Sequence, residues 1–146
     1  MNMKLLFLFL TCLSLTSIAQ TTTEMEKKAR ELHRVIGLDD KAQWTKFVKE
    51  NYTAAIIAKP MNGKVSTNGT ETSLTDATKA SSDIEAKANL LGRLHQDFGS
   101  SKIISIKPTG DKLDMVLSTN AGLNGTFSLR FDKDNMIDGF GVRAEH

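Results

Sequence analysis

Four short segments at the end of the chain, Lys102–Thr109, Lys112–Thr119, Thr126–Phe131 and Met136–Ala144, are divided only by Gly110-Asp111, Asn120–Gly125 and Asp132–Asn135. A parallel pair needs a crossover of about a dozen residues or more. Connections this short therefore make neighbouring strands antiparallel. Leu113, Met115 and Leu117 share one face of their segment, as do Phe127, Leu129 and Phe131, with Ser128 and Arg130 opposite. Alternation of period two describes a sheet with one buried face. Such a face has to be covered by something else in the chain.

The cover is written earlier, as three helical patterns. Met25, Ala29, Leu32 and Ile36 fall on one helix face behind Thr23-Glu24-Met25-Glu26, a capping box, and Gly37 is a stop. Asp40-Lys41-Ala42-Gln43 starts a second helix, with Trp44, Phe47 and Val48 on its apolar side and an end near Asn51-Tyr52. Ser82-Asp83-Ile84-Glu85 caps a third, which carries Ile84, Ala88, Leu91 and Phe98, with Leu90 and Leu94 beside them, and stops at Gly99. Helices followed by a four-stranded meander define an α+β domain, the helices lying on one face of a curved sheet.

Between these parts, Ala54 to Ala58 is too short to assign, and Pro60 closes it. Nine of the 23 residues from Pro60 to Ser82 are Ser or Thr. A stretch of that length without periodicity is unusual inside a compact domain. It reads as a flexible surface loop; a lid over a cleft is the alternative.

The chain begins Met1-Asn2-Met3-Lys4, runs apolar from Leu5 to Leu15, and reaches Ser17-Ile18-Ala19. A basic start, a short apolar run and small residues at the −3 and −1 positions describe a secretory signal peptide cut after Ala19. A membrane span needs about 20 apolar residues, and this run is shorter and broken by Thr11, Ser14 and Thr16. Cys12 also raises lipoprotein processing, but Thr11 before it is too bulky for that cleavage. The expectation is a leader at 1–19, one domain at 20–146, export to the periplasm or the extracellular space, and no stable span in the mature chain.

Cleavage removes 19 of 146 residues, leaving 127, and takes Lys4 and the chain's one cysteine with it. The net charge falls from +2 to +1. An exported chain without cysteine has no disulfide to lean on, so its stability rests on a packed core. With Lys+Arg 19 against Asp+Glu 17 and no block of like charge, the basic face of a nucleic-acid binder is missing.

The wording of Asp39–Tyr52 (DDKAQWTKFVKENY), Leu90–Gly99 (LLGRLHQDFG) and Thr126–Val142 (TFSLRFDKDNMIDGFGV) resembles the cystatin-like or nuclear-transport-factor-2-like superfamily. More narrowly, it is similar to the small domain that precedes serine hydrolases in exported bacterial proteins. The likeness spans most of residues 23–145. It implies a curved sheet wrapped on helices, with an apolar pocket in the concave face to which Met115, Phe127 and Phe140 would contribute. Hydrolases of that type use Ser-x-x-Lys; this chain has none, the nearest being Thr109-Gly110-Asp111-Lys112 in a turn. The resemblance thus implies an accessory domain standing alone.

Motifs for chemistry are sparse. His33, His95 and His146 have no second histidine at ligand spacing, so no metal and no cofactor is expected. Gly-x-Ser-x-Gly and phosphate-binding glycine loops are missing too. The superfamily also includes isomerases and dehydratases with an acid or base in the pocket. By strand alternation Asp138 would face inward with Met136, Phe140 and Val142; a bulge near Gly139 would turn it outward. His95, beside Leu91, reads first as a hydrogen-bonded histidine at the edge of the core, and Tyr52 as packing.

Two functions follow. The first is an exported, non-enzymatic domain binding a small apolar ligand or a protein partner. The alternative is an acid/base enzyme of isomerase or hydro-lyase type using Asp138 with His95 or Tyr52. A homodimer formed through the sheet is a third reading. Convergence of Asp138, His95 and Tyr52 on one cavity separates the first two.

Overall fold

The computed structural model describes residues 21–60, 64–67, 70–73 and 82–145. The expected leader and its cleavage site lie outside them. Helix α1 covers residues 21–36. It is already helical at Thr21, so Thr23 sits inside the helix and is not its cap. The apolar spacing behind it holds: Met25, Ala29, Leu32, Val35 and Ile36 are all buried, none more than 1% exposed.

Helix α2 is Lys41–Asn51, and Asp40 caps it by accepting from the amides of Ala42 and Gln43 at 2.8 and 3.3 Å. Trp44, Phe47 and Val48 form its buried side. The chain then leaves the helix at Tyr52 in an extended conformation. The unassigned stretch proves to be a single helical turn and a little more, α3 (Ala54–Ala58), capped by Thr53 Oγ1 accepting from Ile56 N. Helix α4 is Asp83–Phe98; Ser82 Oγ accepts from Glu85 N, while Glu85 also pairs with Lys41 at 2.6 Å. That ion pair ties the start of α4 to the start of α2.

In the Ser/Thr-rich segment, Lys64–Thr67 (β1) and Thr70–Ser73 (β2) pair as an antiparallel hairpin. The reading of this segment as a lid concerns mainly residues outside the described set.

The main sheet is the expected meander: β3 (Lys102–Thr109), β4 (Lys112–Ser118), β5 (Asn124–Phe131) and β6 (Ile137–Glu145), in that spatial order and antiparallel throughout. Met115 stands opposite Phe127, and Leu113 opposite Leu129, on the face turned to the helices. All four are at most 2% exposed. The other face is polar: Ser128 donates to Asp114 Oδ1 at 2.6 Å across β4 and β5. Gly110 sits at φ 62 in the two-residue turn between β3 and β4, where a side chain would be strained.

Helix and sheet meet where Phe98 stands edge-on to Phe127, ring centres 5.1 Å apart. A Cβ at Gly125 would come within 2.5 Å of the Phe98 ring. The strand is thus bare at the point where the helix end presses on it. Each large apolar side chain so buried contributes about 1.5–3 kcal/mol. Among the described residues the core cluster holds 21 side chains, 19 of them larger than alanine, and that burial takes the place of a cross-link.

Candidate functional site

The structure separates the three residues whose convergence would have defined a proton-transfer site. Asp138 does not share the inward face with Met136. A bulge between Arg130 and Phe131 pairs Arg130 with Gly139 but Phe131 with Ile137, which leaves Asp138 as the extra residue. Ile137, fully buried, takes the inward place, and Phe140 resumes the alternation opposite Leu129. The Asp138 carboxylate accepts from Arg130 Nη2 at 3.0 Å and from Thr53 Oγ1 at 3.1 Å. It is an anchor between β5, β6 and the cap of α3, with a cation beside it rather than an apolar wall.

Tyr52 is packed, 3% exposed, with its ring edge-on to Phe47 and tilted against Phe140. Its hydroxyl is buried without a hydrogen-bond partner. Burial pushes its pKa well above the ordinary value, so it holds its proton at neutral pH. Met115 and Phe127 have no exposed surface. Phe127 is enclosed by Phe98 and, at 6.2 Å, by Phe140. These positions fill the inner face of the sheet with core.

His95 stands elsewhere, on α4. Its Nδ1 lies 2.8 Å from the carbonyl of Ile36. A carbonyl only accepts, so Nδ1 carries the proton and Nε2 of the neutral ring presents a lone pair. Nε2 lies 4.0 Å from Asp39 Oδ1. The ring tilts against Trp44 at 5.9 Å, and the Trp44 indole N–H is shared between the carbonyls of Val35 and Leu38. Both rings are therefore locked to the α1–α2 connection.

Together they form one wall of an open groove of about 670 Å³. Asn89, Arg93, Gln96 and Ser100 line the other side. Their spacing of four, three and four places them along one side of α4 and its end. Among the described residues, Asn89, Arg93 and Gln96 make no side-chain hydrogen bond or ion pair. Gly92 forms the floor against Trp44. The groove thus offers the His95–Asp39 pair together with a guanidinium and two amides that, among the described residues, are not spent on the fold. No cluster of three metal-binding side chains occurs among the described residues.

Of the residues singled out from sequence, only His95 belongs to this groove. Asn89, Arg93 and Gln96 belong to no motif in the sequence. The signal that could have marked them is Gly92: a glycine inside a helix points to a close approach by something else. Comparison with family models, curated proteins and solved structures gives no match for this chain.

Proposed function

We propose that this is an exported, non-enzymatic binding domain whose groove between α2 and α4 receives a polar segment of a protein partner. The observation that carries the reading is the row of uncommitted side chains Asn89, Arg93 and Gln96, which line the same groove as His95 and Asp39. Carboxamides and a guanidinium satisfy main-chain carbonyls and carboxylates, and the acceptor pair takes main-chain or side-chain N–H groups. The small-apolar-ligand version is less favoured, because Met115 and Phe127 are fully buried in core. The enzyme version is less favoured because Asp138 is paired with Arg130, the Tyr52 hydroxyl is enclosed in core, and His95 is bonded to Ile36 on another element. The apolar leader pattern of residues 1–19 supports export, and the cystatin-like resemblance remains part of the same proposal.

The test is site-specific photo-crosslinking in the native compartment. A photoreactive residue at Gln96 should give one discrete adduct, absent when it stands at Ser128 on the polar face of the sheet. Arg93→Glu should abolish the adduct while leaving thermal stability unchanged. Equal labelling from both positions, or indifference to Arg93→Glu, refutes the reading. N-terminal sequencing of the exported protein should begin at Gln20.

A further inference from the structure

The His95 end of the groove collects negative potential from three sources. Helix α1 ends at residue 36 and helix α4 at Phe98. The two ends meet: a Cβ at Gly37 would stand 3.5 Å from the Gly99 carbonyl oxygen. The C-terminus of a helix carries the negative pole of its dipole. Asp39 follows α1 closely, with its side chain 86% exposed. The positive end of α2 comes next along the chain, but Asp40 caps it and takes up that charge. Among the described residues no lysine or arginine pairs with Asp39, although Arg93 lines the same groove.

Hydrogen-bonding geometry narrows the occupant. The Ile36 carbonyl fixes the proton of the neutral His95 ring on Nδ1, so Nε2 and Asp39 Oδ1 are two acceptors 4.0 Å apart. They are too distant to bond one another, and neither has a proton to donate. A single nitrogen at about 2.9 Å from both spans the gap. It needs two N–H bonds and, beside a carboxylate and two helix C-termini, a positive charge. We propose that this end of the groove receives a primary ammonium group of the partner segment, from a lysine side chain or a free N-terminus, an inference that rests on the groove binding such a segment. Nε2 and Asp39 Oδ1 each accept one N–H, and Arg93 is left for the carbonyl or carboxylate groups of the same segment. Gly99 keeps the arrangement in place. A Cβ there would stand 2.7 Å from His95 Nδ1 and push the ring off the Ile36 carbonyl.

Titration of the purified exported protein, followed by its amide NMR shifts, tests this with lysine and alanine derivatives. N-acetyl-lysine methylamide presents a side-chain ammonium, and alanine methylamide an N-terminal one. At least one should give saturable shifts at Asp39, His95 and Gly99, and the tighter binder identifies the source. The side-chain-trimethylated lysine derivative keeps the charge without an N–H, and the side-chain-acetylated one keeps an N–H without the charge. Each should bind about tenfold more weakly or worse. Asp39→Lys should abolish ammonium binding with an unchanged circular dichroism spectrum. Asp39→Asn should weaken it about tenfold and keeps the proposal testable if the lysine variant fails to fold. No saturable shift from either ammonium overturns the proposal, as does equal binding of the trimethylated form or indifference to Asp39→Lys. A Gln96 adduct in a protein that binds no ammonium leaves the partner reading standing and removes this inference alone. Ammonium binding without a Gln96 adduct keeps the ammonium site and removes the protein partner.

Discussion

The backbone of Gly92 rests on the indole of Trp44: a Cβ at that position would stand 2.6 Å from Cζ3 and 3.1 Å from Cη2. The indole has no freedom to withdraw, because its N–H is held by two carbonyls, Val35 and Leu38. In an open helix Gly→Ala gains up to about 1 kcal/mol from propensity. Overpacking costs about 1–3 kcal/mol and dominates here. Gly92→Ala should therefore lower stability by about 1–2 kcal/mol in denaturant unfolding. Trp44→Leu should recover part of that loss in the double variant, since the two residues share one contact. A Gly92→Ala protein as stable as the parent contradicts the packing described.

Tyr52 makes the opposite prediction. Its hydroxyl is buried and has no partner, so it carries a desolvation cost of about 1–3 kcal/mol without return. Tyr52→Phe keeps the ring contacts with Phe47 and Phe140 and should leave the midpoint unchanged or raise it. A clear loss of stability would mean that the hydroxyl is bonded after all.

The same residue gives a pH signature, helped by its being the chain's one tyrosine. Burial raises its folded pKa above the unfolded value, so its contribution is fully present below about pH 10 and declines above it. Absorbance should show no tyrosinate until the protein unfolds. Gradual ionisation of the native state, ahead of unfolding, is the contrary result.

Lys87 is buried, 6% exposed, and its Nζ donates to the carbonyl of Lys59, the cap of α3, at 2.6 Å. Desolvation lowers its pKa, with Lys59 adding to the effect and Asp83 opposing it. The unfolded chain then binds the proton more tightly than the native one, so stability rises with pH between the lowered folded pKa and the ordinary lysine value. Relative to Lys87→Met, the parent should gain stability as pH rises through that alkaline window. Parallel pH profiles for the two proteins would contradict this.

The parts legible in sequence are those set by period and by turn length. Antiparallel order followed from connections too short to cross over, and the apolar faces of α1, α2 and α4 from their spacing. Alternation alone set Asp138 inward, and the alternative read beside it, a bulge near Gly139 that turns it outward, is the one the strand adopts. Gly139 hinted at the bulge opposite Arg130 and Phe131, but which residue it leaves unpaired is set by the cross-strand register. The start of α1 was misread for a related reason: a Thr-x-x-Glu sequence caps a helix only if the chain before it is not already helical. Gly92 carried a hint of the groove, but its meaning depends on Trp44, 48 positions away in the chain. Asn89, Arg93 and Gln96 were polar residues on a helix until the fold brought Asp39 and Trp44 to the same groove.

Helix α1 is held by groups drawn from far along the chain. His33 Nε2 meets the Ser101 carbonyl at 3.0 Å, Lys28 reaches Asn51 and Met136, and the Ile36 carbonyl receives His95. Synthesis delivers residues in order, N-terminus first, at about 5–20 per second. The opening helix therefore waits for nearly the whole polypeptide before its last contact exists. It is made 108 residues before the last of these partners, and its anchors close one after another as Asn51, His95, Ser101 and Met136 emerge.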